Sequence, residues 1–194
     1  MTSEYITITL QDVIGILKVE RVKTILSVFS SPPNEDIERY IKDRAIDFSN
    51  RGIAQTHMVF KNINDSLGFL GYFTLANKIL TMSSIGMSNE TKKRVERFSV
   101  LDSNTGNYNV AAPLIAQLGK NYSIKQDYQI PGKDLLHIAC EKVRAIQKVL
   151  GRKLVYLECG DKESLISFYQ KNGFRIMESG TPSDKNLIQM VRFL

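Results

Sequence analysis

Apolar and polar positions change period several times along this chain, and each change marks an element. Residues 5–10, YITITL, alternate and predict a short strand or the lead into a helix. After Pro32 and Pro33, Asn34 has the side chain of a helix N-cap, and Glu35 and Asp36 fill the first turn. Apolar Ile37, Ile41, Ala45 and Phe48 then recur at helical spacing towards Gly52. Residues 55–61 and 67–82 are rich in aromatic and β-branched side chains, and INDSLG between them supplies turn chemistry, so the two stretches predict a hairpin. Ser88 or Asn89 caps a short basic helix in SNETKKRVER. Residues 104–109 form a polar loop with Gly106, and 110–118 a mostly apolar strand. Beyond QIPG, the residues Leu135, Leu136, Ala139, Val143, Ile146, Val149 and Leu150 keep to one helical face that ends at Gly151. KLVYLEC, 153–159, follows as a strand. A helix through SLISFYQKN stops at Gly173, and two strands close the chain around 174–177 and 187–193. No repeat, low-complexity tract or long linker divides this order. It predicts one α/β (α+β) domain over 1–194, with a mixed central sheet of about six to seven strands and helices packed on it.

Composition narrows the class. A chain of 194 residues with 43% hydrophobic and 24% charged residues can bury a core without metals or disulfides. No apolar run approaches the roughly 18 residues of a membrane span, and MTSEYITITL lacks the basic start and apolar centre of a signal peptide, so the expectation is cytoplasmic. Cys140 and Cys159 sit in apolar company without Cys-x-x-Cys spacing, which predicts buried thiols. His57 and His137 are isolated, which argues against a zinc site or a histidine-based triad; no metal is expected. The net charge of +6 favours an anionic partner, a nucleotide cofactor or nucleic acid, although a solvated basic face gives the same count.

The candidate chemistry begins at QIPGKD. A strand, a glycine-containing loop and a helix N-terminus in that order bring unpaired N–H groups and the positive end of a helix dipole to one place, where Lys133 adds a positive charge. The stretch is neither a P-loop nor a Rossmann fingerprint. Pro131 removes one N–H from the loop, and Asp134 puts a carboxylate beside it, which must turn to solvent or cap the helix if an anion is to bind.

The succession of strand, QIPGKD, long helix, strand and a short helix carrying FYQKNGF closely resembles the GNAT N-acetyltransferase superfamily, over about residues 110–178. The loop motif matches at Gln129, Ile130, Pro131, Gly132, Lys133 and Asp134, with Asp134 standing where the family prefers a small residue. The second motif matches at Phe168, Tyr169, Gln170, Lys171, Asn172, Gly173 and Phe174, and Lys162 stands where many members have asparagine. The resemblance implies a GNAT-like sheet with helices on both faces and acetyl-CoA as cosubstrate. It implies the pyrophosphate on Gln129 to Asp134, the pantetheine arm along the backbone of Leu118, Gly119 and Lys120, and Tyr169 as the acid for the departing thiolate. A phenol with a pKa of about 10 lies close above a thiol of about 8.5, so such a transfer is nearly balanced.

A narrower resemblance covers the N-terminal half. Phe29, the helix with Ile37, Tyr40, Ile41 and Ala45, then QTHMVF and GYFTLAN, look like GNAT toxins that acetylate the α-amino group of aminoacyl-tRNA. It implies basic contacts to tRNA phosphates. Candidates are Lys92, Lys93, Arg94 and Arg97, with Lys142, Lys148, Arg152 and Lys153 behind the loop; exposed helix faces account for them equally well. An antitoxin on another chain and a homodimer are the protein partners left open. From Ala111 to Lys120 there is no Asp, Glu or His, so a base is absent from that strand, with Glu158 or Asp127 within reach only through water. An acceptor that is partly neutral unaided, an α-amino group of pKa about 7.7–8.0 rather than a lysine near 10.4, suits that absence. The rivals are acetylation of a small or protein amine, and a non-catalytic acyl-CoA-binding or interaction module.

Overall fold

The computed structural model describes residues 5–151, 153–177 and 186–194. It forms two compact units, one built from the chain up to Ala76 with Ala116–Ala139, the other from Asn77–Ile115 with the chain from Cys140 onward.

In the first unit, β1 (Ile6–Thr9) runs directly into α1 (Leu10–Ser27), where Thr9 accepts a hydrogen bond from the amide of Asp12 as N-cap. Helix α1 is interrupted at Lys18, which has φ 62° and ψ 155°. Asn34 caps the next helix as its side chain predicts, accepting from the amides of Asp36 at 3.1 Å and Ile37 at 3.4 Å. That helix has three parts: α2 (Glu35–Arg39), a π-helical turn (Tyr40–Arg44) and α3 (Ala45–Asn50). Strand β2 (Gln55–Ile63) pairs antiparallel with β1 and with β3 (Ser66–Ser83). Asn64 and Asp65, with φ of 49° and 62°, make the two-residue hairpin turn whose twist matches the strands. Leu10, Val22, Leu26, Phe29, Ile41, Met58 and Tyr72 form the core, where α1 and α3 meet β2.

In the second unit, Ser88 caps α4 (Asn89–Val95), and a turn with Gly106 at φ 69° joins β4 (Leu101–Asp102) to β5 (Asn107–Lys120). Helix α5 (Gly132–Leu150) ends at Gly151, with φ 78°. Strand β6 (Leu154–Gly160) makes a parallel ladder with β5 at Leu114↔Tyr156 and Ile115↔Leu157, and an antiparallel one with β8 (Leu187–Phe193). Helix α6 (Glu163–Lys171) and β7 (Arg175–Ile176) stand between them in sequence, and Gly173, at φ 84°, makes the turn that joins the two.

The sheet is mixed, of eight strands, in the order β1-β2-β3-β5-β6-β8-β7 with β4 paired to β5. The count exceeds the expected six to seven because β4 is only two residues long and lies between the basic helix and the polar loop of 104–109, too short to show a strand period. Helix α1 is the larger surprise, since its stretch carries no single apolar stripe: Val13 and Val22 are buried while Ile16 is 75% exposed. Cys140 and Cys159 are free, buried thiols. Among the described residues no helix is long and apolar enough to cross a membrane.

Candidate functional site

The predicted cradle lies in the first unit, from the end of β5 to the start of α5. Gly119 is buried, and no side chain fits there without a shift: a Cβ would collide first with the Ile37 side chain and would come within 2.9 Å of the Tyr72 ring and 3.2 Å of the Phe29 ring. Gly71 on β3 faces the same constraint, since a Cβ would meet the Gly119 carbonyl oxygen at 2.6 Å. The two glycines therefore let the backbones approach where Leu118, Gly119 and Lys120 leave the strand.

Asn121, 1% exposed, then fixes the exit of the chain. Its Oδ1 accepts from the amide of Ser30 at 3.0 Å and from the amide and hydroxyl of Ser123 at 3.1 and 2.8 Å, and its Nδ2 donates to the Phe69 carbonyl at 2.8 Å. A 3-10 turn, Gln126–Tyr128, follows, and the Gln129 amide side chain closes the loop by donating to the Ile124 carbonyl at 3.1 Å. Ile130 is buried and anchors the loop, while Pro131 is exposed.

The Pro131 carbonyl accepts from the amides of Asp134 at 3.0 Å and Leu135 at 3.2 Å, which starts α5 and leaves the Gly132 and Lys133 amides ahead of the first helical bond. Among the described residues Lys133 is exposed and holds no ion pair. Two amides, one free ammonium and the dipole of a 19-residue helix make a donor set that fits a phosphate group. Asp134 neither turns to solvent nor caps the helix. It is half-buried, and the Tyr5 hydroxyl donates to its Oδ2 at 3.3 Å. Tyr5 and Asn121 are the two residues the sequence analysis missed; both act through partners distant in the chain, and no local spacing signals them.

Tyr169 belongs to the second unit, on α6. Its ring stands edge-on to Phe174 at 5.9 Å and to Phe168 at 5.1 Å, and its carbonyl accepts from the amides of Asn172 and Phe174 at the helix end. Burial, with the neighbouring Cys159 adding, pushes the phenol well above its ordinary value, so the hydroxyl keeps its proton. Lys162 begins α6 without any side-chain cap. Glu158 on β6 accepts from Gln189 on β8 at 3.0 Å. On α4 and just beyond it, Lys93 and Arg97 are exposed and Lys92 is half-buried. Arg94 is engaged by Glu90 at 2.7 Å and lies over the Phe193 ring at 5.6 Å. Lys148 and Lys153 are exposed and Lys142 is half-buried, while Arg152 lies outside the described residues.

The first unit also holds an apolar cavity of 610 Å³, lined among others by Ile8, Ile16, Leu17, Phe60, Leu67 and Ile124. Its few polar side chains carry no acid or base, and Asn121 and Ser123 spend their groups on each other, so it offers binding volume without chemistry.

The fold is that of GNAT-type toxins. A tyrosine-to-phenylalanine mutant of KacT superposes with a TM-score of 0.64 over 96% of this chain and 94% of that one, at 15% sequence identity. AtaT complexed with acetyl-methionyl-tRNAfMet gives a TM-score of 0.60 over 84% of this chain and 85% of that one, at 16% identity. An AtaT tyrosine-to-phenylalanine mutant bound to the C-terminus of the antitoxin AtaR and acetyl-CoA gives 0.60 over 96% and 92%, at 14% identity. No family model and no curated protein matches the sequence.

Proposed function

We propose that the chain is an N-acetyltransferase that moves an acetyl group from acetyl-CoA to a primary amine, the α-amino group of an aminoacyl-tRNA, in the manner of a toxin. The observation that carries this reading is the start of α5, where Gly132, Lys133 and the helix dipole offer an anion two amides and an ammonium within a fold shared with acetyl-CoA-bound AtaT. When bound, acetyl-CoA supplies the activated acyl group as a thioester. The loop from Gln129 to Asp134 would hold its pyrophosphate through main-chain amides and Lys133, with the Asp134 side chain engaged by Tyr5, and the main chain of Leu118, Gly119 and Lys120, beyond the short ladder with β6, would orient the arm. The neutral amine would attack the thioester carbonyl carbon and the C–S bond break; Tyr169 gives its hydroxyl proton to the leaving sulfur, the acylated nitrogen releases its extra proton to water, and the tyrosine regains a proton from solvent. Tyr169 is half-buried on α6, and its phenol, pushed up by its surroundings, carries the proton to be given but is a weaker acid towards the thiolate than a free tyrosine, so the transfer is less balanced than the ordinary values imply. The absence of Asp, Glu and His between Ala111 and Lys120 supports an acceptor of low pKa, which an aminoacyl ester's α-amino group is. Lys92, Lys93, Arg94 and Arg97 are the proposed phosphate contacts, with Arg94 the least free of the four. A cytoplasmic location, a single functional domain over 1–194, a cognate antitoxin and a homodimer complete the reading.

Isothermal titration with acetyl-CoA tests it. Micromolar binding by the wild type, lost in Gly132→Glu, is the expected result. A wild type that does not bind acetyl-CoA rules the assignment out.

A further inference from the structure

Asp134 has two ordinary uses for its charge. A carboxylate in the first turn favours the positive end of a helix, and one returned to the N-cap amide closes a capping box. Pro131 accepts the first helical hydrogen bonds but has no N–H, so the second use is closed. A carboxylate left to turn in this place shares a helical turn with the Gly132 and Lys133 amides and opposes, at like charge, any phosphate brought to them. The structure commits it elsewhere: the Tyr5 hydroxyl, from the residue just before β1 and 129 positions away in sequence, donates to its Oδ2 at 3.3 Å in a half-buried setting.

We propose that Tyr5 is a positioning residue for phosphate binding at α5, its hydroxyl holding the Asp134 carboxylate against the start of β1 and away from the Gly132 and Lys133 amides. The inference rests on the acetyl-CoA reading above. Through this bond, cofactor affinity is expected to depend on the Tyr5 hydroxyl only while residue 134 carries a charge. The same pair explains how this loop tolerates an acidic residue where the matching motif has a small one.

The test is calorimetric titration of the full chain with acetyl-CoA, as wild type, Tyr5→Phe, Asp134→Asn and the double variant, with a thermal melt of each. Tyr5→Phe is expected to weaken binding about three- to tenfold, the scale of like charges a few ångströms apart in a partly screened setting. Asp134→Asn binds at least as tightly as the wild type, and the double variant binds like Asp134→Asn. An equal loss on removing the hydroxyl in both backgrounds makes Tyr5 a merely structural residue and overturns the proposal. Wild-type affinity in Tyr5→Phe overturns it too, with the cofactor reading intact. Absence of acetyl-CoA binding in the wild type and in every variant removes that reading and this proposal together.

Discussion

Tyr169 carries the sharpest consequence at the scale of single residues. Its phenol is held neutral by burial first and by Cys159 second, and its role as acid needs only the one O–H. Tyr169→Phe is therefore expected to lower turnover by roughly 10²–10⁴-fold while leaving the acetyl-CoA Kd within about twofold, which single-turnover kinetics beside calorimetry will resolve. Gly119 makes a different prediction, because its constraint is space. Gly119→Ala drives a methyl group into Ile37, Tyr72 and Phe29 and is expected to destabilise the protein by about 1–3 kcal/mol in urea unfolding. Neither effect could be read locally. The motif around Tyr169 was visible as a string, but the rings of Phe168 and Phe174 that flank it, and the rings that close on Gly119, come from folding.

Elements divide by how much of their signal is local. Asn34, Glu35 and Asp36 announce a helix start in three consecutive residues, and the structure uses Asn34 as its cap; the N-cap at Ser88 is of the same kind. Helix α5 was legible because its apolar positions form one stripe from Leu135 to Leu150. Helix α1 was not, because apolar residues fall on several sides of it and Lys18 breaks its turn, so no window shows a single period. The π-helical turn at residues 40–44 adds to a helix whose apolar spacing reads as ordinary. Helix α6 starts at Lys162, whose side chain has no acceptor for an amide of the first turn. Lys162→Asn supplies that acceptor and is expected to raise stability by about 0.5–1 kcal/mol, read as an increase in Tm.

Charge and proton balance belong to the whole molecule. The excess of 26 basic over 20 acidic residues biases the chain towards polyanions, and contact with about four phosphates gives tRNA affinity a log–log salt slope near −3. Lys93→Ala should reduce the magnitude of that slope by just under one in a filter-binding series. Arg94→Ala should reduce it less and lower stability as well, because Arg94 is held by Glu90 and Phe193. Alkaline pH probes the buried phenols. Burial, with the Glu158 charge adding, pushes Tyr156 up to about 12, whereas the unfolded phenol ionises near 10. The folded chain then holds protons that the unfolded chain releases, so this stability is complete below about pH 10 and is lost as pH rises towards 12. Urea midpoints at about pH 8 and about pH 11 should differ in that direction.

By itself the sequence determined most helix starts and stops, the hairpin, the strand-loop-helix order around QIPGKD and the basic balance, because caps, turns and periodicity act between residues a few positions apart. Tertiary structure decided the pairing of β6 with β8, the close approach of Gly71 and Gly119, the knot at Asn121 and the hydrogen bond from Tyr5 to Asp134. These join positions that no local rule relates, and only the burial of shared apolar surface brings them within hydrogen-bonding reach.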